Sequence, residues 1–225
     1  MAKFKPRAVI FDMDGVIIDS MPYHFLAWYE ALRPYGVRVS CFDVYSKEGE
    51  KWNKTLKDLL LRAGINPAQR LLDEIFARRQ RIFRRFFQGF IFKGAEELLV
   101  SLRNGGYRLG LVTGSPLKEV NAILPLKVKS KFEVIVAGDQ VKNGKPSAEP
   151  YLKAAKLFGV SPSRCLVVEN SPLGIESAKS AGMPCIAITT SLPKEYLQEA
   201  DLVVEKLQDI PGFIHPFLQN PVLTG

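Results

Sequence analysis

The stretch Ala8-Val9-Ile10-Phe11-Asp12-Met13-Asp14-Gly15-Val16-Ile17-Ile18-Asp19-Ser20 places two carboxylates two residues apart at the end of an apolar run. Residues 8–11 are continuously apolar after a basic, proline-containing start, the pattern of a short strand buried on both faces. In extended chain, residues i and i+2 point the same way, so Asp12 and Asp14 begin near one another and the turn at Gly15 can aim them. Two such carboxylates repel, and one keeps its proton unless a cation or a cationic side chain sits between them. An ordinary surface turn is the plain alternative, because Asp and Gly are common turn residues. A calcium loop of the Asp-x-Asp-x-Asp-Gly type is excluded: it needs Gly at its sixth position and Glu at its twelfth, and counting from Asp12 these are Ile17 and Tyr23.

A chain of 225 residues, 47% hydrophobic and with mean hydropathy near zero, reads as a soluble globular protein of one large or two modest domains. No apolar run approaches the roughly 20 residues of a membrane helix, so no membrane partner is expected. The basic start is a poor signal peptide, since Asp12 and Asp14 interrupt the apolar stretch after it. Cys41, Cys165 and Cys185 are an odd number without metal-ligand spacing, and they read as buried free thiols in a reducing cytoplasm. The formal charge of +8 could suggest nucleic acid. Much of it, however, lies in a helix-like stretch where Arg78, Arg79, Arg81, Arg84 and Arg85 alternate with Ile75, Phe76, Ile82, Phe83 and Phe86. That stretch reads as an amphipathic helix with a solvated basic face, and no nucleic-acid partner is expected. The same basic surface would draw in an anionic phosphate. The oligomeric state stays open, a monomer included.

After Ser20 the pattern turns helical. Helices are expected over residues 22–32, stopped by Pro34-Tyr35-Gly36, over residues 48–63, and over residues 67–87 with Asn66 as cap. Three helices without strands between them suggest a helical insertion over residues 20–90. From Gly94 helices and strands alternate: strands at residues 108–112, 134–137, 165–168, 184–188 and 202–204, helices at 95–104, 116–124, 148–158 and 173–181. This is the pattern of an α/β fold, a parallel sheet covered by helices on both faces, formed by residues 1–19 and 91–225. Ligands of such sheets bind beyond the carboxyl ends of the strands. Thr113-Gly114-Ser115-Pro116 and Glu169-Asn170-Ser171-Pro172 read as two strand-to-helix turns of one type, each with Ser capping a helix and Pro in its first turn.

Each strand end carries a residue with two readings. Thr113, Gly114 and Ser115 offer hydroxyls and backbone N–H groups at a helix start, a favourable place for an anion, or they form an ordinary capped turn. Lys145, before Pro146, is a solvated loop lysine or a partner for the carboxylates. Glu169 and Asn170, ending the strand at 165–168, are an ordinary exit to solvent or oxygen ligands for a hard cation.

Asp-Met-Asp-Gly-Val after a strand, Thr113 ending an apolar strand, Lys145-Pro146 followed by Glu149-Pro150-Tyr151, and Glu169-Asn170 at a further strand end together resemble the four motifs of the haloacid dehalogenase superfamily. Asp19-Ser20 and Tyr23-His24-Phe25-Leu26-Ala27-Trp28 are similar to the beta-phosphoglucomutase-like branch, which carries a helical cap after the first strand. The resemblance implies a Rossmann-like core with an inserted all-helical cap domain. It implies a phosphatase acting on a small phosphorylated metabolite, with a sugar-phosphate mutase as the alternative. It also implies Asp12 as nucleophile, Asp14 as acid and base with a pKa raised by its neighbour, and Thr113, Gly114 and Lys145 on the phosphoryl group. Mg2+ would be held by Asp12, Asp14, Glu169 and Asn170; with Asn170 where Asp is usual, metal binding should weaken or lean on Glu169. His24 packs a hinge or helps proton transfer from Asp14. The mutases carry an Arg soon after a cap Gly and a Lys soon after the second motif; this chain has Glu50-Lys51-Trp52-Asn53-Lys54 after Gly49 and Pro116 at the second place, departures that favour hydrolysis.

Overall fold

The apolar run at residues 8–11 is strand β1 (Ala8–Phe11), the fully buried middle of a six-stranded sheet in a computed structural model that describes residues 6–214. The other strands are β2 (Arg108–Val112), β3 (Val134–Val136), β4 (Cys165–Glu169), β5 (Cys185–Ile188) and β6 (Leu202–Val204), in the order β3-β2-β1-β4-β5-β6. Every pairing is parallel; Phe11 stands beside Leu111 on one side and Val168 on the other. The first five residues and the tail after Ile214 lie outside the described residues, and with them most of the basic start and of the proline-punctuated end.

Alternation along the strands builds two cores. Val9, Phe11, Leu109, Leu111, Leu166 and Val168 face α5 (Ala95–Asn104) and α10 (Ile210–Ile214). Ala8, Ile10, Val112, Cys165 and Val167 face α8 (Glu149–Phe158) and α9 (Pro172–Ser180). Because both faces of β1 are covered, its continuous apolar run is what burial requires, and the polar residues that follow it emerge at the sheet's carboxyl edge. Order reverses there, with β2 on one side of β1 and β4 on the other, which makes the crevice where such folds place ligands. This is a Rossmann-like parallel α/β fold.

The segment between β1 and α5 forms helices alone: α1 (Met21–Leu32), α2 (Cys41–Tyr45), α3 (Trp52–Arg62) and α4 (Gln69–Phe86). They share a third apolar cluster, with Leu32, Leu56, Leu60, Leu72 and Ile75 fully buried. The chain enters and leaves this segment side by side: Asp19 N–H donates to the Phe90 carbonyl at 2.9 Å and Phe92 N–H to that of Ile17 at 3.1 Å.

Several expectations shift. The sequence does not announce the short α2 or α7 (Leu126–Lys129); in α2 the Ser40 hydroxyl accepts from Asp43 N–H while Asp43 accepts from Ser40, a reciprocal cap that makes five residues hold. The helix expected from residue 48 starts at Trp52, because Gly49 turns the chain with φ of +81°. Asn66 does not cap α4; Ala68 flanks it and no side chain closes the turn. Cys41 is exposed, at the start of α2, while Cys165 and Cys185 are buried thiols as expected.

Candidate active site

Asp12, Asp14, Thr113, Lys145, Glu169 and Asn170 all lie at the carboxyl edge of the sheet, and all are buried. Asp12 follows β1 directly and its N–H donates to the Val168 carbonyl of β4 at 2.9 Å, so the sheet itself fixes this carboxylate. Carboxylates and amines are almost never fully buried unless paired, and here the pairing is explicit. The Lys145 ammonium donates to Asp12 Oδ1 at 2.5 Å and to Glu169 Oε1. Tyr151 also donates to Glu169 Oε1, at 2.8 Å, and the N–H groups of Asn170 and Ser171 with the Ser171 hydroxyl take Oε2.

Asp14 is held differently. Its Oδ1 accepts from the Ser20 hydroxyl at 2.6 Å and from His24 Nε2 at 3.0 Å; its Oδ2 accepts from the hydroxyls of Thr113 at 3.1 Å and Ser115 at 3.2 Å. Ser115 therefore spends its hydroxyl on Asp14 and does not cap α6 (Leu117–Ile123), which Pro116 flanks without a side-chain bond. Ser171 does cap α9, through Gly174 N–H at 3.1 Å. The two similar turns thus do different work.

The electrostatics reverse the expected order of the aspartates. Burial pushes the Asp12 carboxyl up, Lys145 pulls it back, Glu169 and Asp14 push again, and it settles at about 8. Burial also pushes Asp14 up, but the His24 ring and the hydrogen bonds of His24, Ser20 and Thr113 outweigh it and hold it at about 2. The physical reason is donor count: four donors converge on Asp14, whereas Asp12 has one ammonium that it shares. Burial would deprotonate Lys145, yet Asp12 and Glu169 together raise it above the ordinary lysine range. Glu48, on the loop before α3, is pushed well up by burial and by Asp14 and Asp12. The pocket is short of positive charge.

Among the described residues, no group of three or more His, Cys, Asp or Glu side chains is arranged to hold a metal ion. Two buried side-chain oxygens without a hydrogen-bond partner, Asp12 Oδ2 and Asn170 Oδ1, nevertheless belong to this site. Orphaned oxygens of a carboxylate and an amide, in a pocket lacking positive charge, fit a hard divalent cation. Glu169 has both oxygens engaged, so of the pair Asn170 is the one with an oxygen to spare.

The helical segment closes over this edge. Gly49 packs so tightly that a Cβ there would stand 2.2 Å from Lys145 Cδ, and a Cβ on Gly114 would meet Gly49 Cα at 2.8 Å. Lys51 Nζ donates to the carbonyls of Gly138 at 2.6 Å and Val141 at 2.9 Å. Beside the aspartates lies a cavity of about 80 Å³, walled by Trp28, Trp52 and Phe76 and bordered by His24, Arg79, Ser115 and Glu119.

Arg79 and Glu119 escaped the sequence reading. Arg79 does not belong to the solvated basic face: it is buried, it donates to His24 Nδ1, and its guanidinium lies 5.0 Å from the Phe83 ring centroid. The His24 ring is thus held between two partners, Nδ1 towards Arg79 and Nε2 towards Asp14. The available signal was spacing, since Leu72, Ile75, Arg79 and Phe83 fall three and four residues apart on the face α4 buries. Glu119, on α6, reaches Arg79 at 3.5 Å and carried no motif.

A Rossmann-like sheet carries two buried aspartates just after its first strand, a buried lysine and hydroxyls at neighbouring strand ends, an arrangement suited to hydrolytic chemistry. The model of the haloacid dehalogenase-like hydrolases matches residues 6–182, and the chain belongs to that family. It is 30% identical over 205 residues to hexitol phosphatase A of Escherichia coli K12, covering 91% of this chain and 93% of that protein. It is 29% identical over 211 residues to the beta-phosphoglucomutase of Bacillus subtilis 168, covering 91% of each. A solved structure from Bacteroides vulgatus, provisionally named a beta-phosphoglucomutase, superposes with a TM-score of 0.86 at 30% identity, over 97% of this chain and 93% of that one.

Proposed function

We propose that this hydrolase is a Mg2+-dependent phosphatase that removes phosphate from a small monoester, of the sugar-phosphate or phosphoglycolate type, through an aspartyl-phosphate on Asp12. The observation that carries this reading is the division of Asp12: Oδ1 on the Lys145 ammonium, Oδ2 buried and without a partner. Family membership and the phosphatases among the relatives support it.

In this reading Asp12 attacks phosphorus and the ester oxygen leaves as the alcohol; water then attacks the acyl phosphate, restoring Asp12 and releasing inorganic phosphate. Asp12, the Asp14 backbone carbonyl and Asn170 would hold Mg2+, which when bound supplies the positive charge that lets one anion approach another. Glu169 holds Lys145, and Lys145 lies along the transferring oxygens together with Thr113 and Gly114. A phosphate oxygen that takes the Thr113 and Ser115 hydroxyls relieves Asp14 Oδ2 of both donors. With those donors gone its pKa rises and it takes up a proton from solvent before the site closes; Asp14 then gives that proton to the leaving oxygen and takes one back from the attacking water. A cavity of about 80 Å³ is small beside the roughly 300 Å³ at the lower end of ligand pockets. Residues 20–90 therefore act as a cap that opens to admit the ester and closes to exclude water.

Two features favour a mutase as the second reading: His24 bonded to Asp14, and Arg79 in the cavity, a guanidinium absent after Gly49. Bisphosphate-dependent isomerisation with little phosphate released would select it. The decisive experiment is phosphate release from a panel of phosphorylated metabolites with Mg2+, comparing native chain with Asp12→Asn. Turnover in the native chain and none in the variant is expected; turnover that survives the substitution removes Asp12 as nucleophile.

A further inference from the structure

We infer that Arg79 and Glu119 select the alcohol end of the substrate, and that they select a neutral, hydroxyl-bearing group over one carrying a second negative charge. The inference rests on the phosphatase reading and adds to it which residues choose the substrate and by what chemistry. The two residues come from different parts of the chain, Arg79 from α4 and Glu119 from α6, and both line the cavity beside the aspartates. Each is 7% exposed. Their ion pair is loose, 3.5 Å from Arg79 Nη1 to Glu119 Oε1. Both also keep a buried polar atom without a hydrogen-bond partner, Nε on Arg79 and Oε1 on Glu119.

A buried donor and a buried acceptor left unmade on two residues that line one small cavity are costly unless a ligand completes them. The donor needs an acceptor and the acceptor needs a donor, and a hydroxyl is both at once. One hydroxyl, or two on neighbouring carbons, therefore suits this pair better than an amine or a carboxylate. The aromatic walls, Trp28, Trp52 and Phe76, offer apolar surface to the carbon-bound hydrogens of the same group.

Charge decides against an anion. The cavity carries Glu48, Glu50 and Glu119 against Lys47 and Arg79. Lys47 is paired with Asp58 at 2.7 Å, and Arg79 is committed to His24 and Glu119. Glu50 takes Lys54 and Thr55, and Glu48 is pushed towards its neutral form by burial and the aspartates, which leaves Glu119 as the carboxylate at the cavity without a full countercharge. A carboxylate or second phosphate entering here would lose its hydration and meet repulsion in return. Hydroxyl recognition by charged partners commonly changes specificity by tenfold or more.

The test compares kcat/KM of the native chain, with Mg2+, for glycerol phosphate, a hexitol phosphate and a hexose monophosphate against phosphoglycolate and a hexose bisphosphate. At least one neutral polyol ester should exceed both anionic ones by about tenfold or more. Glu119→Gln keeps the shape and removes the charge, so the ratio of neutral to anionic kcat/KM should fall by about tenfold, with a melting curve confirming the fold. Because the native panel needs no variant, a misfolded Glu119→Gln leaves the inference falsifiable. A native chain that prefers phosphoglycolate or the bisphosphate overturns it, as does a folded Glu119→Gln with an unchanged ratio. If esters are hydrolysed through Asp12 without that preference, this inference alone falls. If none is hydrolysed, the phosphatase reading falls and takes the inference with it.

Discussion

Replacing Lys145 by Met removes the ammonium that bridges Asp12 and Glu169 while keeping an unbranched side chain under Gly49. Glu169 retains Tyr151, the Ser171 hydroxyl and two backbone N–H groups; Asp12 has no other side-chain donor among the described residues. Breaking one side of a buried ion pair costs about 3–5 kcal/mol, so Lys145→Met should lower folding stability by that amount once Asp12 is ionised, above about pH 8, and by less near neutral pH. The sign of the pH dependence follows from Asp12. Its folded pKa is raised, from an ordinary 3.8 to about 8, so the native fold loses stability as pH climbs from the lower value and stops losing it above the higher one. Without Lys145 the folded pKa rises further, and the loss continues past the point where the native curve flattens. The gap between native and variant should therefore widen above about pH 8, by up to about 1.4 kcal/mol per pH unit. Urea unfolding at about pH 6 and about pH 9, followed by tryptophan fluorescence, measures both curves. Adding Asp12→Asn to Lys145→Met should recover at least half of the loss and abolish the widening. A cost below about 1 kcal/mol, or a gap that narrows towards the alkaline side, would refute the idea that Lys145 neutralises a crowded acidic pocket.

Asn170→Asp adds a negative charge beside the orphaned oxygen of Asp12; Mg2+ affinity, read by titration calorimetry, should rise about tenfold, while the metal-free variant melts lower. Chelation by EDTA should abolish turnover in the native chain, and the melting-point rise on adding Mg2+ should be larger at about pH 9 than at about pH 6, because the proton on Asp12 competes with the metal. Gly49→Ala sets a Cβ 2.2 Å from Lys145 Cδ at a φ of +81°, so it should lower kcat by about tenfold or more through displacement of the lysine, at a stability cost of about 1–2 kcal/mol. A Gly49→Ala variant with native kcat would separate the glycine from the site.

The parallel sheet was legible because its signals are local. Continuous apolar runs at residues 8–11 and 165–168, too short for helices, read as strands covered on both faces, and α5 and β2 fall where the change of period puts them. Strand ends followed by Asp, Thr and Glu were equally legible, since a polar residue at the end of a buried run must have a reason to be there. What stayed hidden was three-dimensional. Arg79 sits among five arginines whose composition says solvent, and only the packing of α4 against α1 turns that one inward. Ser115 looks like Ser171 in sequence, yet the nearness of Asp14 diverts its hydroxyl. The order of the aspartate pKa values could not be read from Asp-x-Asp, because four donors arrive at Asp14 from residues 6 to 101 positions away.

The side-by-side threads at residues 17–19 and 90–92 have a consequence of another kind. Since both threads leave the sheet at one place and the four helices keep their own apolar centre, the segment between them can be exchanged like a fitting on a fixed socket. Grafting the corresponding segment of a relative onto these two points would exchange Arg79, His24 and the aromatic walls at one stroke, while Glu119, Asp12 and Lys145 stayed behind with the sheet.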